Sequence, residues 1–164
     1  MMITKIEIER FSVISLKPFA EILAAINAGI AHPNMADLFS SIQRAKSSAE
    51  MEDTLQKTIG PCGLMLFATF DQGAVIDKGV EHGARGVVRL LIGNPLIMAS
   101  MARHVPDAGS YAPVTVLVDE RADGVHISYD RMSSFLAPYG NSEALKIALD
   151  LDGKIERLLE QAAS

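Results

Sequence analysis

The sequence predicts an α+β fold: one antiparallel sheet of about five strands with helices packed on it and a long carboxy-terminal helix. Three observations carry that prediction. An alternating segment near the amino end precedes three stretches of helical periodicity. Four strand-like segments then follow in succession, over residues 64–70, 87–92, 113–120 and 125–129. A long amphipathic stretch comes last, and strands grouped apart from helices favour an antiparallel sheet over βαβ units.

Each element has its own signature. Residues 3–15 alternate, with Ile6 and Ile8 on one face and Phe11 and Val13 on the other, which predicts a strand kinked near Glu9–Arg10. Pro18 suits a first helical turn, and Phe19, Ile22, Leu23, Ile26 and Ile30 form one stripe ended by Gly29 and Pro33. Asn34 can cap a second helix whose apolar side is Leu38, Phe39 and Ile42. Ser47 and Glu50 have capping-box spacing, opening a third helix through Met51, Leu55 and Ile59 to a stop at Gly60–Pro61.

The runs LMLFATF and VVRLLI read as nearly continuous buried strands, joined by a glycine-rich connector with a short helix after Asp71. Val114, Val116 and Val118 alternate with Thr115, Leu117 and Asp119, and RADG turns the chain into a return strand bearing Val125, Ile127 and Tyr129 on one face. Asp130 is positioned to cap a short helical turn, broken by Pro138–Tyr139–Gly140. The final helix starts at Asn141 or Ser142. Its stripe of Leu145, Ala148, Asp152, Ile155 and Leu159 is widened by Leu149, Leu151, Leu158 and Ala162. Asp152 interrupts that stripe, and Gly153 weakens the helix by about 1 kcal/mol relative to alanine.

Composition narrows the function classes. A net charge of −5, without a basic stripe or an aromatic row, opposes a nucleic-acid partner held by phosphate contacts. No apolar run reaches the ~20 residues of a membrane-spanning helix. The charged opening MMITKIEIERF lacks a signal peptide's apolar stretch, and a single cysteine suits a reducing compartment, so a cytoplasmic protein is expected.

The candidate chemistry concentrates between Asp71 and Tyr129. Gly93–Asn94–Pro95 both ends a strand and starts a helix, whose first N–H groups could also hold an anion. It is not a phosphate loop, since GxGxxG and GxxxxGK(S/T) are absent. Met98 and Met101, beside Leu96, Ile97 and Val105, read first as core and second as the soft lining of a pocket. His104 and Asp107 could form an oriented imidazole for proton transfer, with Asp71 as another orienting carboxylate; the competing reading puts His104 in a last helical turn before Pro106. Arg89 interrupts an apolar strand and needs water, a carboxylate or a ligand. Cys62 stands in no CxxC, and His32, His82, His104 and His126 show no i, i+3 or i+4 pairing, so neither a metal nor a cofactor is expected.

The order GLMLFATFDQG, VVRLLIGNPLIM and a proline before VTVLVDERADGVHISYDR resembles the DUF302 family, domains of unknown function in which these features recur in this order. The likeness runs over residues 64–131, and the long last helix also fits. It implies a curved antiparallel sheet of TATA-box-binding-protein-like shape and a homodimer, and it implies no particular reaction. The chain is then one domain over 1–164: a strand and helices over 1–61, the family core over 62–131, and a helical part over 132–164.

The leading expectation is a small, partly apolar ligand bound between sheet and helix by Arg89, Asn94, Met98, Met101, His104, Tyr111 and Tyr129. The alternatives are a metal-independent acid–base enzyme using His104 with an aspartate and Arg89, and a purely structural, dimerising module.

Overall fold

A computed structural model of the chain describes residues 1, 3, 5–76, 78 and 85–164. The elements are β1 (Arg10–Ser15), α1 (Phe19–Gly29), α2 (Met35–Arg44), α3 (Ser48–Gln56), β2 (Met65–Asp71), α4 (Gly73–Ile76), β3 (Val87–Gly93), α5 (Pro95–Ala102), α6 (Ala108–Tyr111), β4 (Val114–Arg121), β5 (Gly124–Asp130), α7 (Met132–Leu136) and α8 (Ser142–Ala163). A 3-10 turn at Ala137–Tyr139 joins the last two helices. The five strands form one open sheet in the order β1-β5-β4-β3-β2, every neighbouring pair antiparallel. The fold is α+β, as the pattern predicts.

Register decides which side chains meet the helices. Leu90 pairs with Val116 and Val118 with Ile127, so Val88, Leu90, Ile92, Val114, Val116, Val118, Val125, Ile127 and Tyr129 share one face. All are buried, against Ile22 and Ile26 of α1, Met101 of α5, Leu136 of α7 and Ala148, Ile155 and Leu159 of α8. Each fully buried Leu, Ile or Met here contributes about 1.5–3 kcal/mol relative to exposure.

Asp152, which interrupts the α8 stripe in sequence, is fully buried at the centre of this assembly. Its Oδ1 accepts from the Tyr129 hydroxyl at 2.5 Å and the Met132 N–H at 2.7 Å, and its Oδ2 from the Ser133 N–H at 3.2 Å. Arg131 adds charge: its guanidinium lies 3.6 Å from Asp152, 2.9 Å from Glu156 and 2.7 Å from Glu9. The α7 helix is therefore capped by a residue twenty positions away in sequence. The expected cap, Asp130, instead takes two hydrogen bonds from Arg10 at 2.6 and 2.9 Å. Asp130 lies on the open face beside Arg10, so its side chain is turned away from the α7 N–H groups.

Other expectations change in similar ways. The first strand begins only at Arg10; the backbone over 5–9 runs outside the sheet, where the Glu9 carbonyl accepts the Arg131 N–H at 2.9 Å. The third helix ends at Gln56, short of Ile59. Half of its capping box forms: the Ser47 hydroxyl takes the Glu50 N–H, but the Glu50 carboxylate takes the N–H of Lys46 and not that of Ser47. Leu149 lies outside the buried stripe at 48% exposure, and α8 passes through Gly153 without a break.

The LMLFATF run is an edge strand rather than an interior one. Its first half is covered by a second cluster of Leu38, Leu55 and Met65, with Phe67 and Leu96 packed against it. Ala31 bonds to the strand's free side, donating to Leu64 and accepting from Leu66. A register shift between Leu66 and Ala68 gives the strand a bulge at Phe67. Its far half is open, with Phe70 at 47% exposure under the Arg89 guanidinium, 5.8 Å from the ring centroid.

Burial beside the Asp152 carboxylate raises the Tyr129 phenol well above its ordinary value of 10.0. The folded state thus holds the phenolic proton more tightly than the unfolded chain. The resulting stability is complete below pH 10 and is lost as pH rises beyond it, because only the unfolded state then releases the proton. Alkaline denaturation followed by tyrosinate absorbance and circular dichroism will show this loss, and Tyr129→Phe will flatten it while costing about 1 kcal/mol at neutral pH. Asp152→Ala, which strands the donors of Tyr129 and Ser133 and leaves the Met132 N–H with the Tyr129 hydroxyl alone, will cost about 3–5 kcal/mol by urea denaturation.

Candidate functional site

The Gly-Asn-Pro corner is built as its residue types require. Asn94 is extended and its Oδ1 accepts the Leu96 N–H at 2.8 Å, with Pro95 at the first helical position of α5. Its carboxamide nitrogen donates to the Gly63 carbonyl at 2.9 Å, so one nearly buried side chain fixes both the helix start and the loop before β2. Gly93 permits the close approach beside it. A Cβ there would stand 3.2 Å from the Pro113 Cβ and 3.5 Å from the Phe67 ring.

This corner forms one wall of a cleft of 240 Å³. Phe39 of α2, Phe67 at the β2 bulge, Pro95 and Met98 of α5, and Ala112–Pro113 complete it, with Asn94 as its polar member. The Ala112–Pro113 peptide is cis. Sequence reasoning singled out Asn94 and Met98 but missed the two phenylalanines. Phe39 reads from the sequence as part of a helix's apolar side, and nothing in LMLFATF marks the bulge.

The remaining predicted residues divide among other places. Met101 is fully buried in the core. Tyr129 is 1% exposed, and its hydroxyl donates to Asp152 and accepts the Met132 N–H. Arg89 projects from the opposite sheet face, where its guanidinium donates to the Thr115 hydroxyl at 3.3 Å. There it borders a groove of 210 Å³ with Arg10, Ser128 and Asp130, and a shallower one of 700 Å³ with Phe70, Val75 and Ile76. The strand is central, so the charge reaches solvent through the open face and not through an edge. The seven residues therefore do not ring one cavity, because the space between sheet and helices is filled by the core.

His104 is exposed after α5, and among the described residues no hydrogen bond joins it to Asp107. Asp107 instead approaches Tyr139, whose hydroxyl is 3.0 Å from that of Tyr111. The hydrogen bond with Tyr111, reinforced by Asp107, holds the Tyr139 phenol above its ordinary range. Tyr111 also stacks on Phe135, with ring centroids 4.7 Å apart. Asp71 caps α4, accepting the Ala74 N–H at 3.0 Å.

His32 pairs with the Asn27 carbonyl and His126 with Asp123, while His82 lies outside the described residues. Among the described residues no three histidine, cysteine or acidic side chains gather as metal ligands. Burial pushes the Cys62 thiol up, which keeps it protonated. No described helix is long and apolar enough to cross a membrane.

Comparison with known proteins supplies a family and a fold. A family model described as "Domain of unknown function DUF302" matches residues 40–162, extending the sequence resemblance at both ends. None of the curated proteins matches. Among solved structures, the crystal structure of an uncharacterized conserved DUF302 protein from Bacillus stearothermophilus superposes with a TM-score of 0.64 at 12% identity, covering 93% of this chain and 97% of the other. At that identity the likeness concerns the fold.

Asn94→Ala removes both the helix cap and the bond to Gly63 and will cost about 2 kcal/mol in urea denaturation. Asn94→Ser keeps a cap acceptor but does not reach the Gly63 carbonyl, and its loss will be smaller. Equal losses in the two variants would show that the bond to Gly63, and not the cap, sets the stability of the corner.

Proposed function

The chain belongs to the DUF302 family, and on that premise we propose that it binds a small, largely apolar molecule in the cleft between α2, β2 and α5. One observation carries this reading: two phenylalanine rings, two prolines and a methionine surround 240 Å³ with one carboxamide among them. Ligand sites commonly have this makeup, apolar walls with few polar groups. The volume lies below the ~300 Å³ at which drug-sized pockets begin, which suits a compact ligand. Asn94 uses its oxygen on Leu96 and one amide N–H on Gly63. Its second amide N–H is left for an acceptor atom on the ligand. Met98 supplies a thioether that adjusts to irregular shapes.

The same reading takes the protein as a cytoplasmic homodimer. The lone cysteine supports the compartment. The dimer is carried over from the family resemblance alone. Acid–base catalysis through His104 with Asp107 or Asp71 and Arg89 gains no such support, because His104 is bonded to neither carboxylate among the described residues.

Native mass spectrometry of protein purified from its own source tests the binding. A small molecule will remain with the wild-type chain and be absent from Met98→Trp, whose indole fills the cleft. A bare chain in the first case, or retention in the second, would exclude this cleft. Sedimentation velocity tests the dimer, which will persist at micromolar concentration; a monomer there would remove the dimer from the reading.

A further inference from the structure

A second cleft, of 550 Å³, opens between the end of α1, the loop over residues 59–63 and the last turns of α8. Its lining holds two cations, Lys154 and Arg157, and no carboxylate. Among the described cations Arg10, Lys57, Arg121 and Arg131 have a carboxylate within ion-pair distance, and others such as Arg44, Lys46 and Arg103 do not. Among the described residues neither Lys154 nor Arg157 has one.

Two glycines seat these charges. The Lys154 ammonium stands 3.5 Å from where a Cβ of Gly63 would be, so it reaches across to the loop. Gly63 has φ +79°, a left-handed conformation that glycine adopts without strain. The Arg157 guanidinium folds back over Gly153, its Nη1 3.2 Å from the missing Cβ position. Gly153 weakens an isolated helix, and here it makes room for the guanidinium. Residues 154 and 157 are three apart on α8, so both charges leave the same helix face.

We propose that this cleft binds the oxyanion group, carboxylate or phosphate, of a small molecule, with Lys154 and Arg157 holding its oxygens and Gln161 at its rim. Arg157 offers a planar fork that matches either group, and Lys154 adds a compact charge from the loop side. The volume falls within the range of small-molecule sites, and a net charge of −5 repels an extended polyanion. The site is separate from the apolar cleft, and its occupancy does not depend on a ligand there.

The test is a titration of the full chain followed by amide NMR, with inorganic phosphate and succinate in separate experiments. The Cys62 and Gly63 amides will shift saturably, with half-saturation below about 10 mM for at least one probe. The tighter probe assigns the group, phosphate or carboxylate. Lys154→Gln/Arg157→Gln will weaken that binding by about tenfold or more. Arg44→Gln/Lys46→Gln removes the same charge from a distant exposed surface and will leave it within about twofold. Shifts that stay linear with both probes overturn the proposal. So does a half-saturation that the first variant leaves unchanged, or that the control weakens equally.

Discussion

A carboxylate without access to water dictates how the helical layer meets the sheet. Burying Asp152 is tolerable only because hydrogen-bond donors surround it, all from residues 129–133 where β5 runs into α7. Tyr129 brings β5, Met132 and Ser133 bring the start of α7, and Arg131 brings Glu9 and Glu156 with it. Moving any of these segments leaves a donor or a charge unsatisfied in an apolar interior. Hydrophobic packing supplies most of the cohesion but accepts small slips; the Asp152 network does not. It therefore sets the angle at which α8 crosses the sheet and the place where the chain leaves β5.

Asn94 repeats that logic at smaller scale. One side chain satisfies the first turn of α5 and the carbonyl of Gly63, so the position of α5 and the conformation of the loop before β2 are set together. The apolar cleft lies on one side of this tie through Asn94, and the cationic cleft takes Gly63 as a wall. Both candidate sites thus rest on elements that a single carboxamide holds in register, which is the rigidity a preorganised site needs.

The elements were legible in the sequence where the physics is local. Periodicity placed the strands, Asn34, Ser47 and Asn94 announced the helices they cap, and RADG announced the hairpin. What remained hidden depends on contacts between distant segments. Asp130 satisfies every local rule for a cap, yet Arg10 claims it from the neighbouring strand, 120 positions away in sequence. An aspartate in an apolar stripe looked like a defect, and its partners lie about twenty residues upstream. Polar residues between Asp71 and Tyr129 are close in sequence, but the alternation of a strand sends neighbours to opposite faces. The Arg89 and Tyr129 side chains consequently leave opposite faces of the sheet, and Phe67 joins the cleft through a bulge that no residue type foretold.

The sheet order has a bearing on synthesis. β1 hydrogen-bonds only to β5 within the sheet, and Arg10 meets Asp130 across 120 positions. Ser15 is bonded to the carbonyl of Ala163, farther still. A ribosome must therefore deliver most of the chain before the first strand has anything to pair with. Until then its apolar positions, Phe11 and Val13, are without their partners. Closing so wide a loop comes late and slowly, after the local hairpin of β4 and β5 has formed. One of the two edge strands thus waits for the last strand of the sheet, and its Ser15 tie to Ala163 waits for the last turn of α8.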